Sequence, residues 1–156
     1  MITAYRLLLT AAPILPAAAV AADSVTMSAG RWEETTTVVS ATLDGKPVPP
    51  GLLSNADETK FRCISPEEAT EPSRFFLQSK PGDSCVPIGT ALNGRVEASA
   101  VCGGEPPKTV SLSGAYGRQN YDMNARATFG MGGKSLSVAL RLRGRFVGAC
   151  TGNESL

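Results

Sequence analysis

The sequence predicts a mainly β protein: a single curved antiparallel sheet or partly closed barrel of about seven strands, with one short helix and two disulfides. Three observations carry this. From Lys108 onward the side chains alternate with a period of two almost without a break. Asn93-Gly94 joins two further alternating runs, and both residues tolerate the positive φ of a tight primed turn. Many inward positions of these runs are Gly or Ala, which suits strong curvature or partial closure, with a flat sandwich as the alternative.

The chain opens with one basic side chain, Arg6, an apolar run from Leu7 to Val20, and Ala19-Val20-Ala21-Ala22 before Asp23. This is the layout of a cleavable export signal over residues 1–22. The apolar run is shorter than the roughly 20 residues of a spanning helix and carries Pro13 and Pro16. The expected mature chain, 23–156, is one antiparallel β domain, in the periplasm and not inserted in the membrane. Without Arg6 it carries 14 basic and 14 acidic residues, because the whole chain has 15 and 14. A balanced charge gives no general attraction to nucleic acid or an anionic membrane.

Gly30-Arg31-Trp32-Glu33 and the Thr/Val run to Thr42 have strand composition. Asp44-Gly45-Lys46-Pro47 makes a turn, and the Pro-rich stretch to Ala56 is loop. The next strand carries Phe61 and Cys63 on one face and Lys60 and Arg62 on the other, so Cys63 is expected to point inward. Ser65-Pro66-Glu67-Glu68 starts a helix: Ser as cap, Pro at the first helical position, Glu three after the cap. Pro72 stops it, and a second turn from Ser73 to Leu77 offers Phe75, Phe76 and Leu77 as an apolar plug. Lys80-Pro81-Gly82-Asp83 is a surface turn.

With a two-residue turn at Asn93-Gly94, Leu92 pairs with Arg95 and Cys85 falls opposite Cys102, in a non-hydrogen-bonded pair close enough to bridge. That register turns Val86, Ile88 and Leu92 away from the apolar face of Val96, Ala98, Ala100 and Cys102; a three-residue loop with a bulge would realign the faces and separate the cysteines. In the later hairpin Tyr116 meets Tyr121, Gly114 meets Met123, Leu112 meets Ala125 and Val110 meets Ala127. The last strand sets Leu136, Val138, Leu140, Leu142 and Phe146 against Arg141, Arg143 and Arg145. An even count of four cysteines in an exported chain reads as two disulfides. Cys85–Cys102 with Cys63–Cys150 is the favoured pairing; Cys63–Cys85 with Cys102–Cys150 is the other.

The patterns Gly30-Arg31-Trp32-Glu33, Cys63-Ile64-Ser65-Pro66-Glu67-Glu68-Ala69, Gly82-Asp83-Ser84-Cys85 and Gly144-Arg145-Phe146-Val147-Gly148-Ala149-Cys150 occur in one order. Together they resemble the bacterial family of domain of unknown function 3617, small exported proteins with a Gly-x-Trp start and a Gly-Arg-x-x-Gly-x-Cys end. The resemblance covers about Gly30 to Cys150. It implies a periplasmic location in Gram-negative bacteria and cysteines at these places, and it brings no activity to any residue.

The chain contains no His. Ser-His and Cys-His nucleophile pairs and His-ligated metal sites are therefore excluded, and the cysteine spacings match no structural zinc site. Glu67 and Glu68 are accounted for by helix capping. No catalytic residue, cofactor or metal is expected. Arg141, Arg143 and Arg145 form a cationic stripe that is either a solvated strand face or a contact for an anion or acidic partner. Arg145 could instead tie down carbonyls near Cys150. Trp32, Tyr116 and Tyr121 are candidate ligand-lining aromatics, with core roles as the simpler reading. The expectation is a non-catalytic binding module for a small apolar molecule or a segment of a periplasmic protein; the alternative is a protein-interaction or envelope-stress factor without a ligand. Nothing in the sequence fixes the oligomeric state.

Overall fold

The computed structural model describes residues 25–49, 51, 57–77, 84–103, 107–152 and 154. The expected export signal and the turn expected at Lys80 to Asp83 lie outside them, as does most of the Pro-rich stretch expected to be loop. The strands are β1 (Gly30–Leu43), β2 (Lys46–Pro47), β3 (Asp57–Ile64), β4 (Cys85–Leu92), β5 (Arg95–Cys102), β6 (Lys108–Tyr116), β7 (Asn120–Met131) and β8 (Lys134–Gly148). Two short helices, α1 (Pro66–Thr70) and α2 (Pro72–Leu77), follow β3. All eight strands form one antiparallel sheet in the order β2-β1-β8-β7-β6-β5-β4, with β3 also on β1. The sheet does not close. Its two sides end in β3 with β2, and in β4.

The expected hairpins are present residue for residue. Leu92 pairs with Arg95 and Cys85 with Cys102, so the two-residue turn holds; Asn93 and Gly94 have φ of 51° and 77°. Tyr116 pairs with Tyr121, and Gly114, Leu112 and Val110 meet Met123, Ala125 and Ala127. Both favoured disulfides form, Cys85–Cys102 and Cys63–Cys150. Ser65 caps α1 by a reciprocal pair: its Oγ accepts from the Glu68 N–H at 3.2 Å, and its own N–H donates to Glu68 Oε2 at 2.9 Å.

The turn at Asp44-Gly45, with φ of 49° and 76°, leads into the short strand β2. Pro72 does not simply end helix: it opens α2, the position where a missing N–H costs nothing.

Cys63 does not point inward. Cross-strand partners share a face, and Trp32, with no exposed surface, pairs with Arg62, whereas Cys63 pairs with Arg31. Cys63 and Phe61 therefore lie on the outer face, where the Arg31 guanidinium stacks 3.9 Å from the Phe61 ring centre. The inward residue is Arg62. Its aliphatic stem and flat guanidinium let a charged residue occupy an apolar face.

The core lies between the sheet and the helices. Trp32, Ile64, Val96 and Met123 are the largest fully buried side chains, joined by Met27, Ala69, Phe75, Tyr116 and Tyr121.

Candidate functional site

The inward face divides into a covered end and an open end. At the covered end the first and last strands of the sheet interlock. Gly30, with φ of 133°, lies so close to Gly148 that a Cβ there would sit 2.4 Å from the Gly148 carbonyl oxygen. That close approach admits no side chain. Trp32 stacks on Tyr121 with ring centres 5.7 Å apart, meets Phe146 edge-on at 6.1 Å, and donates from Nε1 to the Ser28 carbonyl at 2.8 Å. Gly144 stands between Tyr121 and Glu34 in the cross-strand row. A Cβ on Gly144 would lie 2.0 Å from the Tyr121 ring, so the ring occupies the space of the missing side chain. It thereby delivers its hydroxyl across β8 to donate to the Glu34 carboxylate.

Around that hydrogen bond the helices close a small cavity of about 150 Å³, walled by Phe75, Phe76, Tyr121 and the ends of Glu34 and Arg62, and floored by Leu112, Met123 and Leu142. The Arg62 guanidinium lies 4.2 Å over the Phe75 ring and 3.8 Å from Glu68 Oε1. Burial, reinforced by the negative Glu34 and its hydrogen bond, raises the Tyr121 pKa well above the tyrosine range, with Arg62 opposing. The phenol thus stays neutral and a donor. The sequence reading missed Glu34, Arg62 and the cavity. Glu34 shares its parity with Trp32 and could have been placed inward from that signal alone.

Beyond the cavity the same face continues as cross-strand rows. Val38, Leu140, Ala125 and Leu112 form one; Ala41, Val138, Ala127 and Val110 the next; Leu43, Leu136 and Phe129 the last. Among these only Leu112 packs against the core cluster, and all but Ala41 are partly exposed. A bulge at Val39 keeps Trp32 to Val38 and Ala41 to Leu43 on one face despite their odd spacing, and turns Val39 outward, 61 % exposed.

Where β8 meets β1 and β7 the outer face is polar. Arg145 forks onto Glu33 with two bonds of 2.9 Å rather than reaching toward Cys150, and Arg141 forks onto Asp122 at 2.8 and 2.5 Å. Arg143 reaches the same Asp122 at 3.6 Å. These hydrogen bonds first, and the cationic charges second, hold Glu33 and Asp122 below the usual carboxylate range. The stripe is thus a lattice of exposed ion pairs, which water screens strongly. Arg143 and Arg145 rim an open basin of about 530 Å³ lined also by Thr35 and Asn120. Of the three candidate aromatics, Trp32 and Tyr116 lie in the core; Tyr121 lies there too and also walls the cavity. No cluster of His, Cys, Asp and Glu suited to a metal occurs among the described residues.

These features define a class: a one-sheet, disulfide-linked β protein whose first and last strands are locked at one end by glycines and aromatics. The chain belongs to the family described as protein of unknown function (DUF3617), whose model matches residues 27–150. No curated protein and no solved structure matches it. Among the described residues no helix is long and apolar enough to cross a membrane, and two formed disulfides are consistent with an oxidising compartment outside the cytoplasm.

Proposed function

We propose that the chain is an exported, periplasmic, non-catalytic module that binds a small apolar molecule along the inward face of its sheet. One observation carries the reading: apolar rows run on past the core cluster, from Leu140 to Leu136, with partly exposed side chains. Contiguous exposed apolar surface of this kind marks interaction sites. The cavity beside Phe75 and Phe76 is smaller than a drug-sized pocket of roughly 300 Å³, so it takes one end of the ligand while the remainder lies on the rows. From Leu142 to Leu136 the track is about 20 Å long at about 3.3 Å per strand residue, the reach of a long-chain acyl group. At the cavity, Glu34 and Arg62 offer an acceptor and donors for one polar group.

Native mass spectrometry of the protein purified from periplasm tests this. The expected result is a bound small molecule, released when Val138 is replaced by Asp. A bare mass, together with no fluorescence gain from an apolar reporter dye, would overturn the reading.

A further inference from the structure

The apolar rows of the inward face end in opposite charge balances. At the open end three lysines share that face. Lys46 pairs with Leu43, Lys108 pairs with the buried Cys102, and Lys134 stands two residues before Leu136 on β8. They border the last row, Leu43, Leu136 and Phe129: Lys46 beside Leu43, Lys108 one rung past the Thr109–Thr128 pair and so beside Phe129, and Lys134 beyond Leu136. All three are exposed, and among the described residues none makes an ion pair, whereas Arg141, Arg143 and Arg145 on the other face each meet a carboxylate. The carboxylate of Asp44, next to Leu43 in the chain, accepts from the Ser135 N–H at 2.8 Å. The cavity end is the reverse. There Glu34, Glu58 and Glu68 stand against Lys60 and Arg62, with Lys60 held by Glu58 at 3.0 Å.

We propose that the molecule bound along the rows is an anionic single-chain amphiphile, its head held at the open end by Lys46, Lys108 and Lys134 and its tail running toward the cavity. The inference rests on the binding reading above and adds the charge and the direction of the ligand. Direction follows from the two balances. An anion pushed into the cavity would shed water and meet carboxylates in excess, whereas at the open end it meets unpaired cations and stays partly hydrated. Any polar group that Glu34 and Arg62 meet is then a neutral one. Lysine suits the rim, because its four-carbon stem lies along apolar surface while the ammonium stays in water. At about 4.8 Å per strand step, Lys46 on β2 and Lys108 on β6 are roughly 19 Å apart at the backbone, with Lys134 between them. Two lysine stems and one head fill that gap.

The test is displacement of an apolar reporter dye from purified, delipidated protein by hexadecanoate, hexadecanol and hexadecylamine, with inorganic phosphate as the anion that lacks a tail. Exposed ion pairs are individually weak, so three together should make hexadecanoate bind about tenfold more tightly than hexadecanol. Hexadecylamine should bind less tightly than either, and added salt should shrink the margin. Replacing the rim together, Lys46→Gln with Lys108→Gln and Lys134→Gln, should bring hexadecanoate down to hexadecanol without moving the thermal melt, because all three side chains are exposed. Arg126→Gln, exposed on the outer face, should keep the margin. Binding of none of the three chains would overturn the binding reading and this inference with it. Equal binding of acid and alcohol, or a margin that survives the triple replacement, would overturn the assignment of the head while apolar binding stood. Displacement by phosphate alone would show that no tail is needed and overturn it as well.

Discussion

The two ends of the inward face are built from the same strands with the same alternation, yet one is filled and the other is not. At the covered end Trp32, Tyr121, Phe146 and Phe75 are packed ring to ring; at the open end Val138, Leu136 and Phe129 stand partly exposed outside the core cluster. Three of the four patterns that make the family recognisable lie at the covered end; the fourth runs to Cys85, whose bond to Cys102 lies toward the open end. Gly30 presses on Gly148, Trp32 on Phe146, Glu33 on Arg145, and Cys63 is bonded to Cys150. At the covered end the recognisable pattern is therefore a device for joining the first strand to the last. Binding, in the reading proposed above, belongs to the opposite end.

Substitutions at each end sharpen that contrast. Trp32→Ala should have the largest effect, a loss of about 3–5 kcal/mol in urea unfolding, because it empties a fully covered site on which two rings pack. A near-native midpoint for this variant would mean that the covered end is not what holds the sheet together.

Tyr121→Phe comes next, at about 1–3 kcal/mol, since it leaves the Glu34 carboxylate without its donor. The sign with pH is definite. The folded pKa is raised, so this contribution is complete below the ordinary tyrosine value near 10 and is lost as pH climbs through that value toward the folded one. The wild type should lose stability in that alkaline window, and the Phe variant should lack this part of the slope.

Leu140→Ala, at the open end, should cost least, about 1–2 kcal/mol, because the side chain is partly exposed and lies outside the core cluster. It should nevertheless weaken retention of the native ligand. A stability loss equal to that of Trp32→Ala would show that the open end is core, and the comparison would collapse.

Local signals account for what was legible in the sequence. Period-two alternation set the Tyr116–Tyr121 register, Asn93-Gly94 fixed the Cys85–Cys102 staple, and the Ser65 box marked α1. The same turn count set Val86, Ile88 and Leu92 on the face opposite Val96, where they are exposed. What was not legible is non-local or irregular. No short-range pattern announces that β1 pairs with β8, or that a bulge at Val39 shifts the parity of β1 midway. Composition also misled at β3: Phe61 and Cys63 look like inward residues, but Arg62 gains more by lying flat on Phe75 beside Glu68. The cavity was hidden for the same reason, because its two charged walls come from strands joined only in the folded sheet.

The pairing of β1 with β8 also dictates when the protein can fold. Arg31 is bonded into the ladder opposite Gly148, so nearly the whole chain must be present before the first strand acquires its central neighbour. Such distant contacts carry the loop-closure cost early and the reward late, which makes folding slow. The β4 to β7 hairpins can form as soon as they are made, but they bury no Trp32 and close no Cys63–Cys150 bond. A chain built this way stays unfinished, and pliable, until its final strand arrives.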